Sequence, residues 1–141
     1  MILVDTTPLV ALCDPRDALH DKALSDLDRL AKRGLVVCEP VLTEACFLLS
    51  FAAQRARLER LIVELGMTPL AVEDAEELRT EVFRWLARYA EHEPDWADGY
   101  LAVVSGRLKD VRVWTYDREF RTTWRRPGGT RIATLGRCPS T

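Results

Sequence analysis

The chain has 141 residues, the size of one ordinary globular domain with a single core, and one domain is expected over residues 1–141. Hydrophobic residues make up 48% and charged residues 30%, a balance that excludes a disordered chain, and no window is apolar for long enough to read as a membrane span. A formal net charge of -2 excludes indiscriminate phosphate binding by the whole surface.

The apolar start MILVDTTPLVALC lacks a positive leader and carries Asp5, so it does not read as a signal peptide, and a cytoplasmic protein is expected. Residues 2–4 form a short buried strand that stops at Asp5, and Thr6, Thr7 and Pro8 open a helix reaching about Cys13. Leu19, Ala23, Leu27, Leu30 and Ala31 recur at helical spacing, predicting a helix over 17–33 that stops at Gly34. Residues 35–38 read as a second strand.

Pro40 suits the first position of a helix continued by Val41, Ala45, Leu48, Leu49 and Ala52, and another helix runs from about Gln54 to Leu65. A third strand is predicted within 67–72, interrupted by Pro69, then a long helix from Glu73 to about Ala90 and one from Asp95 to Leu108. Residues 112–116 form a fourth strand ending at Asp117, and 131–134 a fifth. Short apolar strands alternating with helices indicate an α/β domain with a mostly parallel sheet covered on both faces.

Cys13, Cys38, Cys46 and Cys138 form no CxxC pair, and three lie in apolar runs; they read as free thiols rather than a zinc site. Charge is unevenly placed. From residue 111 onward there are seven arginines (Arg112, Arg118, Arg121, Arg125, Arg126, Arg131 and Arg137) against Asp117 and Glu119, a net +5. A basic end on an acidic chain points to a local site for a polyanion, or to a solvated arginine-rich face.

Four carboxylates stand out by position. Glu44 shares a helical stripe with Val41, Leu48 and Phe51, a face otherwise apolar, where a carboxylate is costly unless paired or metal-bound; an ion pair with an arginine or a rim position is the alternative. Asp5 and Asp117 each follow an apolar strand, and in parallel sheets the C-terminal strand ends form the ligand crevice, although a turn or N-cap acid occurs there too. Asp98 lies three residues after Asp95, which reads as the N-cap, placing Asp98 in the first helical turn. Gathered in one crevice, four carboxylates repel, and hard divalent cations such as magnesium or manganese relieve that repulsion. Phosphodiester hydrolysis is the matching reaction class.

With these residues in view, MILVDTTPLVAL, CEPVLTEACFLL, DWADGYLAVVSGRL and VWTYDREFR resemble, in order and spacing, the four acidic motifs of PIN-domain nucleases, most closely the VapC-like ribonuclease toxins of type II toxin-antitoxin modules. The matches are Asp5 with Thr6, then Glu44, then Asp98 with Asp95 as a companion, then Asp117 with Phe120. The resemblance implies a three-layer α/β/α fold, Mg2+-dependent endonucleolytic cleavage of RNA with Mn2+ as a substitute, a homodimer, and a cognate antitoxin. The chemistry of the residues themselves supplies the roles expected: Asp5, Glu44 and Asp98 hold the metal, and Asp117 supports a second ion or orients water.

Thr6 could donate a hydrogen bond to a ligand carboxylate or phosphate, and Arg118, Arg121, Arg125 or Arg126 could hold the RNA backbone. Trp124, beside Arg125 and Arg126, is the stacking candidate for an unpaired base, whereas Trp85 and Tyr89 read as core or interface. Phe47, Leu48 and Phe51, with the 58–65 stretch, could supply dimer or antitoxin surface. His20 resembles a histidine near the start of the family's second helix and reads as a helix-surface or capping residue. A haloacid-dehalogenase-like phosphatase needs a second aspartate where Thr7 stands, and a receiver domain a late strand-end lysine, whereas Lys109 precedes its strand. A PIN-like scaffold that binds RNA without cutting it is the non-catalytic alternative, and four intact acids argue against it.

Overall fold

A computed structural model describes residues 1–136, so Arg137 and Cys138 lie outside the described residues. In chain order the elements are β1 (Ile2–Val4), α1 (Thr6–Cys13), α2 (His20–Leu30), a 3-10 turn (Ala31–Arg33), β2 (Leu35–Val37), α3 (Glu39–Leu48) and α4 (Ala52–Glu64). There follow β3 (Thr68–Pro69), α5 (Ala75–Arg88), a 3-10 turn (Ala90–His92), α6 (Trp96–Arg107), β4 (Arg112–Trp114), α7 (Glu119–Thr122) and β5 (Thr134–Leu135).

The five strands pair in the order β3-β2-β1-β4-β5, and every pairing is parallel. Helices cover both faces in three α/β/α layers. Ile2, Leu3 and Val4 are almost wholly buried, which is why β1 reads as an unbroken apolar run; in β4 Val113 and Trp114 are buried while Arg112 at its start is exposed. In register, Ile2 stands opposite Leu35 on one side and Arg112 on the other. No helix among the described residues is long and apolar enough to cross a membrane.

Where boundaries differ from the sequence reading, local hydrogen bonds explain them. The second helix begins at His20 rather than Asp17, because Asp17 forms a turn whose side chain accepts from the Leu19 N–H at 2.8 Å. It ends in the Ala31–Arg33 turn, and Gly34 leaves the helix at φ 78°. The fifth helix begins after Asp74, whose carboxylate caps the Glu77 N–H at 3.1 Å. The third strand shrinks to two residues, since Pro69 has no N–H for a further ladder bond and sits at the sheet edge. The fourth stops at Trp114, and the fifth lies at Thr134–Leu135, while Arg131 instead bridges to Arg125.

Helices α5 and α6 meet closely because Gly99 offers no side chain: a Cβ there would stand 3.0 Å from the Trp85 ring and 3.1 Å from Val82. Gly99→Val is therefore expected to destabilise the fold by about 1–3 kcal/mol through overpacking. Denaturant unfolding measures this directly, and an unchanged midpoint would show that α5 can shift away at no cost.

Candidate functional site

Asp5, Glu44, Asp98 and Asp117, the four acids singled out above, line a single cavity of about 200 Å3 together with Asp17, Asp95, Thr6 and Thr7. They arrive from separate elements. Asp5 follows β1 and occupies the N-cap of α1, Glu44 projects from α3, Asp95 and Asp98 open α6, and Asp117 follows β4.

Asp5 is only 4% exposed. Its N–H donates to the Trp114 carbonyl at 2.9 Å, and its Oδ2 accepts from the Thr115 hydroxyl at 2.7 Å. The same Thr115 oxygen accepts the Asp117 N–H at 3.0 Å, so one hydroxyl ties the two strand-end acids together. Asp117 in turn caps the following turn, its Oδ1 accepting from the Glu119 N–H at 2.9 Å. A neighbouring tie holds the same segment: Thr7 Oγ1 accepts the Tyr116 N–H at 2.9 Å. The sequence reading passed over Thr115; its only mark is a hydroxyl residue two positions before a strand-end aspartate.

Glu44 occupies the rim position that its stripe left open as the alternative to an apolar interior. On α3 the core face is Val41 and Ala45, continued by Leu49 just past its end, whereas Leu48 and Phe51 are 52% and 66% exposed. Glu44 therefore sits half-buried at the margin of the core, beside an exposed apolar groove, rather than inside an apolar interior. Thr6 donates to Glu44 Oε2 at 3.0 Å, so its hydroxyl orients one of the four carboxylates.

Asp95 and Asp98 form a reciprocal cap: Asp98 N–H donates to Asp95 Oδ1 at 2.8 Å and Asp95 N–H to Asp98 Oδ2 at 3.1 Å. The N-cap assignment of Asp95 holds, and Asp95 also lines the cavity, which its capping role alone does not require.

Burial pushes the Asp5 carboxyl up to about 6; the Thr115 hydrogen bond opposes this, and the charges of Asp117 and Asp95 add to it. Glu44 and Asp98 are raised as well, first by burial and next by the charge of Asp95. Every donor is a hard oxygen, the chemistry that magnesium and manganese prefer. Among the described residues, no group of three or more His, Cys, Asp or Glu side chains is closed around a common point tightly enough to hold a metal as it stands. The acids border the cavity from several elements, and their charges repel one another across it.

The arginines stand outside this cavity. Arg118 is exposed one residue beyond Asp117, and Arg121, Arg125 and Arg126 are half-buried. Trp124 is 2% exposed, its ring edge-on to Trp85 at 5.2 Å and Tyr89 at 5.3 Å; this aromatic cluster occupies it, so it offers no face to a base. Trp85 is buried as expected, its indole donating to the Arg125 carbonyl at 2.7 Å. His20 opens α2, its Nδ1 lying 2.7 Å from the Ala11 carbonyl, a tie between helices. Cys13, Cys38 and Cys46 are free thiols.

The raised carboxyl of Asp5 has a consequence for stability. Folded, it keeps its proton to about pH 6, whereas unfolded it loses it near the ordinary value of 3.8. Between these values the folded state binds the extra proton, so this group's contribution falls as pH rises and is not regained above pH 6. In chelator, Asp5→Asn should raise stability at about pH 7 by roughly 1–3 kcal/mol, with little gain below about pH 4. Calorimetric melts at the two pH values test this, and an equal gain at both would remove the electrostatic explanation.

No curated protein of similar sequence was found. Among solved structures, the Mycobacterium tuberculosis toxin VapC20, described as cleaving the sarcin-ricin loop, shares the fold at a TM-score of 0.68 and 24% identity, covering 84% of this chain and 92% of its own. FitAcB from Neisseria gonorrhoeae superposes at a TM-score of 0.57 and 21% identity, covering 84% of this chain and 88% of its own. The PIN domain matches residues 2–124, a span that contains every acid of the cavity, and the chain belongs to the PIN domain family.

Proposed function

We propose that this protein is a Mg2+-dependent endoribonuclease, the toxin of a type II toxin-antitoxin pair. The observation that carries the reading is the meeting of Asp5, Glu44, Asp98 and Asp117, from separate elements, around one small acidic cavity. Membership of the PIN domain family, generally of nucleases, supports hydrolysis of a phosphodiester, and the sarcin-ricin loop cleavage of VapC20 favours RNA as the substrate.

In this reading Asp5, Glu44 and Asp98 hold Mg2+, for which Mn2+ substitutes, and Asp117 supports a second ion or orients water. A bound divalent ion supplies Lewis acidity toward water and toward the phosphodiester. The chain supplies placement. Thr115 fixes the rotamer of Asp5, Thr6 that of Glu44, and the reciprocal cap that of Asp98. Burial keeps these carboxyls reluctant to ionise alone, so a cation and the negative charge are expected to bind together.

Exposed Arg118, with Arg121, Arg125 and Arg126, would hold the RNA backbone outside the cavity. Phe47, Leu48 and Phe51, which are 82%, 52% and 66% exposed, offer apolar surface for the cognate antitoxin or for a homodimer. A cytoplasmic location accords with such a target.

Asp5→Asn and Asp98→Asn should each lower RNA cleavage by on the order of 100-fold or more while the protein still folds. Chelator should stop cleavage by the wild type and added Mg2+ restore it; cleavage in excess chelator would rule out the metal reading. Sequencing RNA ends from cells expressing the wild type or Asp5→Asn would reveal the substrate. RNA bound but left intact by folded, antitoxin-free protein in Mg2+ would instead mark a scaffold.

A further inference from the structure

Asp26 is fully buried, at 0% exposure, on the face of α2 that carries Ala23 and Leu30 into the core. An unpaired carboxylate there would be strongly disfavoured. Its Oδ1 accepts from Lys22 Nζ at 2.9 Å and from the Arg29 guanidinium, both on α2 itself. Its Oδ2 points inward and accepts the Tyr116 hydroxyl at 2.6 Å. Tyr116 is also buried, and its oxygen accepts the Trp114 indole N–H at 3.2 Å. Burial favours the neutral acid, but the bonds from Tyr116, Lys22 and Arg29 outweigh it and hold Asp26 below its usual range, so it is charged and a constant acceptor.

Stability alone does not call for this arrangement, because well-packed apolar residues commonly replace buried ionic clusters without loss. What the carboxylate adds is direction. Tyr116 lies between Thr115 and Asp117, where the chain has just left β4 and the next helix has not begun. Thr115 is bonded to Asp5, the Tyr116 backbone to Thr7 and the Asp117 N–H to Thr115. All of these ties lie on the cavity side, among β1, α1 and the segment itself. Asp26 supplies an anchor from another helix, α2.

We infer that Asp26 and Tyr116 are a positioning pair: their bond pins residues 115–117 to α2 and thereby keeps Thr115 and Asp117 aimed at the carboxylate cavity. The catalytic consequence rests on the nuclease reading above, whereas the mechanical one does not. Neither residue touches the cavity, and both act through their neighbours.

Tyr116→Phe keeps the ring and removes the bond; Asp26→Ala breaks it from the other side; Asp26→Asn retains an acceptor for the phenol. For the first two, amide exchange across residues 115–119 should accelerate roughly ten-fold, the worth of one buried hydrogen bond, and Mn2+ binding by calorimetry should weaken by about the same factor. Turnover of RNA should fall roughly ten-fold with KM within about three-fold, and Asp26→Asn should restore most of each property. Unchanged exchange and unchanged Mn2+ binding in whichever of Tyr116→Phe and Asp26→Ala folds would overturn the inference, leaving the pair as core packing. A wild type that cuts no RNA would defeat the nuclease reading, and exchange would still decide the pin.

Discussion

Mutual repulsion among carboxylates gathered at one cavity, with Asp5 buried and the others partly exposed, is the constraint on which the rest of the structure depends. Asp5, Glu44, Asp95, Asp98 and Asp117 border one small cavity, and no lysine, arginine or histidine of the described residues lines it. Such a cluster persists only if other groups stabilise the negative charge and fix each side chain. Two threonine hydroxyls do this for Asp5 and Glu44, and backbone N–H groups at the start of α6 do it for Asp95 and Asp98. The N-terminus of a helix also carries partial positive charge, so the opening of α6 lowers the cost of placing Asp95 and Asp98 there.

The parallel sheet brings these pieces together. Its order places β1 between β2 and β4, and the chain moves outward in one direction through β2 and β3 and in the other through β4 and β5. The crevice therefore opens where the winding reverses, between β1 and β4; Asp5 directly follows β1, and Asp117 comes three residues after β4. Adjacent parallel strands ending at the same level put Thr115 within hydrogen-bond reach of Asp5. Packing of α3 on α1 and α6 brings Glu44 alongside, and α6 is seated against α5 by the missing side chain of Gly99. The site is thus a product of the topology, with short side chains doing the final adjustment.

Much of this was legible because it depends on short-range patterns. Strand-end acids, the cap at Asp95 and the helical spacing of α5 and α6 are local signals, and they place Asp5, Asp98 and Asp117 at the crevice. Glu44 was found through a stripe that is only partly buried: periodicity marks which residues share a face, not whether another element covers that face. For the same reason Trp124 passed for an exposed platform, since its neighbours in sequence are arginines while its neighbours in space are Trp85 and Tyr89. Thr115 and Asp26 act through partners 110 and 90 residues away, and no spacing rule reports bonds of that separation.

Separation of the two charge signs follows from the chemistry of the cavity. An arginine among the acids would neutralise them and compete with any cation, so a site built to take a divalent ion must keep its guanidinium groups at a distance. Here they are carried by the segment after β4, and that segment is tied down: Trp85 donates to the Arg125 carbonyl, Tyr89 Oη accepts the Arg125 N–H at 3.2 Å, and Trp124 packs edge-on against both of their rings. The aromatic cluster that removed Trp124 as a base platform therefore anchors the backbone that carries the arginines. Under the proposed function, a polyanion is first attracted by those arginines and meets the acidic cavity only where a cation offsets the repulsion. Attraction and hydrolysis then reside on opposite charges, held apart by the same β4-to-β5 segment that Thr115, Tyr116 and Asp117 begin.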